Sequence, residues 1–196
     1  RVILGTRARK TRTKSMNAFS SIDYPDVALI RDGRILHYIL QGKPPMPPVF
    51  HDKLDANVFV LRLIPGMNPD VLRPLANRFD ALVIESFGVG GLPCYEQADF
   101  LSAASAWSSA GKPIVITTQV PHEGSDLAVY QVGARVAAQP GILQAYTMTA
   151  EAVVTKLMWI LPQTRDLAQI KRLFYTPIAC DLLLFEEHGQ HTDESN

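Results

Sequence analysis

Two short stretches hold the residues best suited to chemistry. TTQVPHEGSD (117–126) brings together two threonine hydroxyls, a glutamine amide, the His122 imidazole and the Glu123 and Asp126 carboxylates. An imidazole moves protons near neutral pH and a carboxylate grips an ammonium group, so the stretch is equipped for acid–base work or for holding a small polar ligand. The same composition also describes an ordinary polar surface loop. His122 is a candidate base without an evident nucleophile, because no serine or cysteine stands in a nucleophile elbow. ESFGVGGLP (85–93) sets Gly88, Gly90 and Gly91 just after the apolar run ALVI. Such a turn can cradle a phosphate or let another segment approach closely. The dinucleotide fingerprint needs GxGxxG running straight into a helix. Here Pro93 takes the sixth place and no Lys-Ser/Thr pair follows, which favours close approach.

Other chemistries find less support. Cys94 and Cys180 lie far apart without a CxxC pair, so reduced thiols of a cytoplasmic protein are the expectation. His188 and His191, beside Glu186, Glu187 and Asp193, stand in a tail with no core to order a metal site, and His37 and His51 lack nearby ligand partners. Neither a metal nor a cofactor is expected. A formal net charge of zero gives no electrostatic reason to expect nucleic acid or membrane as a partner, and no apolar run approaches the roughly 20 residues of a membrane span. The basic start, with Arg1, Arg7, Arg9, Lys10, Arg12 and Lys14, reads as the solvated face of a strand pair in preference to an RNA-binding tail. Trp107, Met158 and Trp159 fall at helical core spacing and read as packing.

The chain has 196 residues, 47% of them hydrophobic, enough for a substantial core. Residues 1–40 read as β-hairpins: RVILG is a strand already under way, implying a segment upstream, and Asp32-Gly33 joins two β-rich arms. Four prolines around Met46 make 41–57 a stiff linker. From 58 to 185 the pattern predicts a three-layer α/β domain with a parallel sheet. Strands are expected over 58–64, 81–86 and 113–118, the first and third covered on both faces. Helices are expected from Asn68-Pro69-Asp70 to about Arg78, over 95–111 with Gly111 as the stop, and after Thr149. Residues 186–196 read as a disordered tail. Ligands of open parallel sheets gather at the carboxyl ends of strands, where 85–93 and 117–126 fall.

Taken in order, LIPGM (63–67), ESFGVGGLP (85–93), GKPIVITTQ (111–119), EGSDLAVYQVG (123–133) and MTAEAVVTKLMW (148–159) resemble the C-terminal half of type I, cytoplasmic-class L-asparaginases. GTRARKTRTKSMNAFSSIDYPDVA (5–28) resembles the hairpin and loop that end that family's N-terminal domain. The resemblance implies an amidohydrolase that cleaves L-asparagine to L-aspartate and ammonia through a threonine nucleophile and an acyl-enzyme. That threonine belongs to a TGGTI-type motif not found in these residues, so no catalytic residue is assigned and the chain alone is expected to be inactive.

The resemblance further implies a homo-oligomer, dimer or tetramer, in which this domain closes a neighbour's active site. Gly90 and Gly91 would then shape an intersubunit surface, with Gly91 where relatives often carry an asparagine. Glu123 is the candidate carboxylate for the substrate's amino group. Thr118 and Glu151 match positions of a regulatory asparagine site, but Glu85 stands in place of an arginine and Val120 in place of a cysteine. That charge reversal predicts no working site of this form. Two alternatives remain: a non-catalytic module binding an amino acid or a partner, and the asparaginase-like subunit of a glutamyl-tRNA amidotransferase.

Overall fold

Asp32 and Gly33 reverse the chain with φ of 50° and 73°, the turn whose twist matches that of paired strands. They join β3 (Ala28–Arg31) to β4 (Arg34–His37) as the sequence predicts. A shorter antiparallel pair, β1 (Ala8–Lys10) with β2 (Phe19–Ser21), precedes it. The computed structural model describes residues 1–40, 42, 47–95, 98–127 and 141–183. The tail and its two histidines therefore lie outside the described residues, as does part of the proline-rich stretch.

RVILG is not a strand. Only Val2 bridges to Ala28, and the chain then tightens into a 3-10 turn at Gly5–Arg7. The turn serves to bury Arg7, which departs from the solvated face expected of the basic run. Its guanidinium is fully covered, donating from Nε to the Cys180 carbonyl (2.9 Å) and from the two Nη atoms to the Thr147 carbonyl and hydroxyl. Burial lowers its pKa, with Asp23 and Asp181 acting in the opposite sense.

Beyond residue 57 strands and helices alternate. β5 (Val58–Arg62) leads through the Pro69–Val71 3-10 turn into α1 (Leu72–Arg78), then β6 (Ala81–Ser86). A two-residue pair, β7 (Cys94–Tyr95) and β8 (Ala98–Asp99), precedes α2 (Phe100–Ser109) and β9 (Ile114–Thr118). β10 (Ile142–Gln144), α3 (Ala150–Ile160) and α4 (Leu167–Tyr175) complete the order. β5, β6, β9 and β10 form one parallel sheet, neighbours in that sequence.

Alternating side chains divide between two cores. Leu82, Ile84, Ile114 and Ile116 pack with Leu72, Phe100, Ala104 and Trp107 under α1 and α2. Ala81, Val83, Val115 and Leu143 pack with Val153, Leu157, Ile170 and Phe174 under α3 and α4. The result is the three-layer α/β arrangement the pattern predicts, with β6 and β9 buried along their whole length. β5 differs: it lies at the sheet edge with Val60 and Arg62 exposed, so its apolar run does not mean cover on both faces.

Local caps explain most helix starts. The Asn68 side chain accepts from the Asp70 amide and Thr149 from the Ala152 amide, as expected. α2 begins at Phe100 instead of near 95, because the Asp99 carboxylate captures the Ser102 amide at 3.0 Å. The Ser102 hydroxyl and amide together hold the Asp99 carboxyl below its usual range.

Candidate functional site

The carboxyl ends of β6 and β9 adjoin, Ser86 pairing in register with Thr118, so the two singled-out stretches leave the sheet side by side. The glycine turn folds back on itself. Gly90 and Gly91 both donate their amides to the Phe87 carbonyl (3.1 and 2.8 Å), while Phe87 N returns to Gly91 O at 3.2 Å. Those amides are therefore unavailable to a phosphate. The turn's carbonyls face the neighbouring loop: Val89 O accepts from Asp126 N at 2.6 Å, and Gly88 O accepts from the Thr118 hydroxyl. A Cβ on Gly90, whose φ is 133°, would come within 2.8 Å of Leu127 Cδ2. Close approach of another segment is what Gly90 permits, whereas Gly88, with open space at its Cβ, supplies a left-handed φ of 50°.

The second loop is fastened at several points. Gln119 Nε2 donates to the carbonyls of Leu63 (2.6 Å) and Glu85 (3.0 Å), tying three strand ends together. Val120 N returns to Thr118 Oγ1 at 3.0 Å, so the buried Thr118 hydroxyl both donates and accepts locally. Gly124 has φ 71° and lies so close to the Tyr146 carbonyl that a Cβ would collide with it. Between these anchors His122 and Glu123 face outward, and both are held by Asp23. His122 Nδ1 is 2.9 Å from Asp23 Oδ1, and Glu123 N donates to Asp23 Oδ2 at 3.0 Å. Glu123 takes φ 74°, a left-handed conformation rare outside glycine, and its side chain is exposed.

Glu151 lies in the first turn of α3, its Oε1 3.5 Å from Arg9 Nε. Arg9 and Asp23 line a cavity of about 10 Å³ with Thr117, Thr118 and Thr149, room for one water at most. Glu85 is buried at the end of β6 with its carboxylate 3.7 Å from Arg62 Nη1. Sequence reasoning misses Arg9 and Asp23 as site residues. Both come from the first 28 residues, and no local pattern marks a contact made 100 positions later.

Residues 57–174 match the glutaminase/asparaginase C-terminal domain. The chain belongs to that family. It is 40% identical over 93% of its length to an L-asparaginase of Thermococcus kodakarensis, of which it covers 55%. The solved structure of the thermostable L-asparaginase from that organism superposes with a TM-score of 0.87 at 39% identity, again over 93% of this chain and 55% of that one. A glutamyl-tRNA(Gln) amidotransferase polypeptide of Pyrococcus furiosus is 28% identical over 91% of the chain, which covers 40% of it. L-asparaginase I from Vibrio cholerae shares the fold, with a TM-score of 0.77 at 24% identity over 92% of this chain and 54% of that one. The chain thus spans about half the length of the asparaginases it matches.

Within the asparaginase domain, the structure brings Gly90, Gly91, Thr118 and Glu123 onto the joined ends of β6 and β9, with Glu151 at the start of α3. Among the described residues no set of three His, Cys, Asp or Glu side chains is placed to hold a metal ion, and no helix is long and apolar enough to cross a membrane.

Proposed function

We propose that these residues act as the C-terminal part of an L-asparaginase that hydrolyses L-asparagine to L-aspartate and ammonia. The attacking threonine comes from a segment outside them. Its hydroxyl adds to the side-chain amide carbon, ammonia leaves as the acyl-enzyme forms, and water then releases aspartate. This chain supplies the oligomer contact and the closure of the pocket, and residues 58–185 are the unit that does so. Residues 1–40 complete the preceding domain, and 41–57 link the two. The protein works in the cytoplasm as a homo-oligomer, without nucleic acid, membrane or cofactor. The observation that carries this reading is 40% identity to an L-asparaginase across 93% of the chain, against 28% for the amidotransferase polypeptide.

The site geometry fits that role. Glu123 stands exposed on a loop anchored on both sides, as a carboxylate reaching a substrate ammonium on a neighbouring protomer requires. Gly91 offers no side-chain amide there, so any contact that an asparagine at this position would make with the substrate is lost. Thr118 and Glu151 form no regulatory asparagine site: the Thr118 hydroxyl is engaged by Gly88 O, and Glu151 faces Arg9. Sigmoidal activation by asparagine, lost in Glu151→Ala, would overturn that part.

Mixing this chain with the N-terminal half of the enzyme and measuring ammonia released from asparagine tests the whole reading. The mixture releases ammonia and the chain alone does not. Silence from both the mixture and the full-length protein refutes it.

A further inference from the structure

Asp23 uses both carboxylate oxygens on consecutive residues of the 117–126 loop, Oδ1 on His122 Nδ1 at 2.9 Å and Oδ2 on Glu123 N at 3.0 Å. It sits at φ 49°, itself left-handed, and is carried by a segment that Arg7 fastens to Thr147 and Cys180. The loop end is fixed independently, by Asp126 N on Val89 O and by Ser125 N on Tyr146 O at 2.8 Å. His122 is thus an exposed ring on a braced backbone with one nitrogen already committed.

A carboxylate can only accept, so the contact assigns the ring hydrogen to Nδ1. The neutral imidazole then carries its lone pair on Nε2. We propose that Asp23 is a positioning residue that fixes this tautomer and so offers Nε2 as an acceptor to an N–H donor, the ammonium or amide of an amino-acid ligand. This ligand class rests on the asparaginase reading; the tautomer does not. Asp23 acts through His122 and through the Glu123 amide, and touches no ligand itself.

Nitrogen-15 and proton spectra of the imidazoles, recorded in alkaline buffer where the ring is neutral, read the tautomer of His122 in the 196-residue chain. The expected state is Nδ1–H in the wild type, lost in Asp23→Asn and regained in part in Asp23→Glu. A wild-type ring protonated at Nε2 overturns the proposal without recourse to any variant. In the assembled enzyme, His122→Ala and Asp23→Ala each raise KM for asparagine on the order of tenfold while kcat changes little. The double variant is no worse than either single one. Unchanged KM with the expected tautomer rejects the ligand role. An assembled enzyme that releases no ammonia refutes the asparaginase reading, and the spectra then decide the role of Asp23 alone.

Discussion

Arg7 Nη2 donates to Thr147 Oγ1 across 3.1 Å, joining the first turn of the chain to the loop that opens α3. Thr6 Oγ1 reaches the Ala179 carbonyl at 2.6 Å, so the N-terminal segment is tied to the parallel-sheet domain at more than one point. Arg7→Ala removes the guanidinium and deprives the part-buried Thr147 and Cys180 carbonyls of their donor. A loss of roughly 1–3 kcal/mol is expected in urea unfolding, and Arg7→Lys recovers only part because an ammonium lacks the planar fork.

Lys156 and Asp181 form a buried ion pair, at 2.8 Å, with the Thr176 carbonyl as a further acceptor at 2.7 Å. Lys156→Met strands a carboxylate and costs about 3–5 kcal/mol. Adding Asp181→Asn returns most of that, since an amide oxygen still accepts from Ile178 N. Equal losses in the single and double variants would show that the pair's charges are not what matters.

Gly124 and Gly66 offer a matched test of backbone geometry, with φ of 71° and 78°. A methyl at 124 meets the Tyr146 carbonyl, whereas one at 66 meets nothing within 4 Å. Gly66→Ala therefore loses roughly 1–2 kcal/mol from its left-handed φ alone, and Gly124→Ala loses more and shifts the loop. Thermal midpoints and the His122 spectra read the two effects.

The Tyr175 hydroxyl accepts from Gln144 N at 2.9 Å, and burial pushes its pKa up to about 12. The folded state thus holds this proton more tightly than the unfolded chain, whose phenol titrates near 10. Its stabilising contribution is complete below about pH 10 and fades as pH rises towards 12. Tyr175→Phe removes that slope in alkaline unfolding and, by orphaning the Gln144 amide, costs roughly 1–3 kcal/mol at neutral pH.

Much of this architecture is legible locally. Asn68-Pro69-Asp70, Thr149 and Asp32-Gly33 each state their own geometry, and β6 and β9 announce themselves as β-branched runs. Besides the two-residue β7 and β8, two elements escape the sequence reading. β10 is only three residues long, too short to show a period. α4 does carry a readable signal, in the Asp166 cap and the buried Ile170 and Phe174 four apart. The start of α2 turns on a choice among adjacent polar residues, which Asp99 wins by reaching the Ser102 amide. Within the site, Gly90 discloses close packing, whereas Asp23 and Arg9 do not show themselves. Their partners lie about a hundred residues or more along the chain, and only the folded backbone brings them together.

The hairpin of β3 and β4 sets Ile30, Ile35 and Leu36 more than half open to water, on a two-stranded ribbon. Handled by itself at high concentration, the polypeptide would therefore be sticky: ribbons from separate molecules would zip together through these apolar side chains, beyond the Val2–Ala28 bridge, and cloud the solution. Light scattering that climbs with protein concentration, and clears when Leu36 is exchanged for lysine, would trace the turbidity to those few greasy side chains.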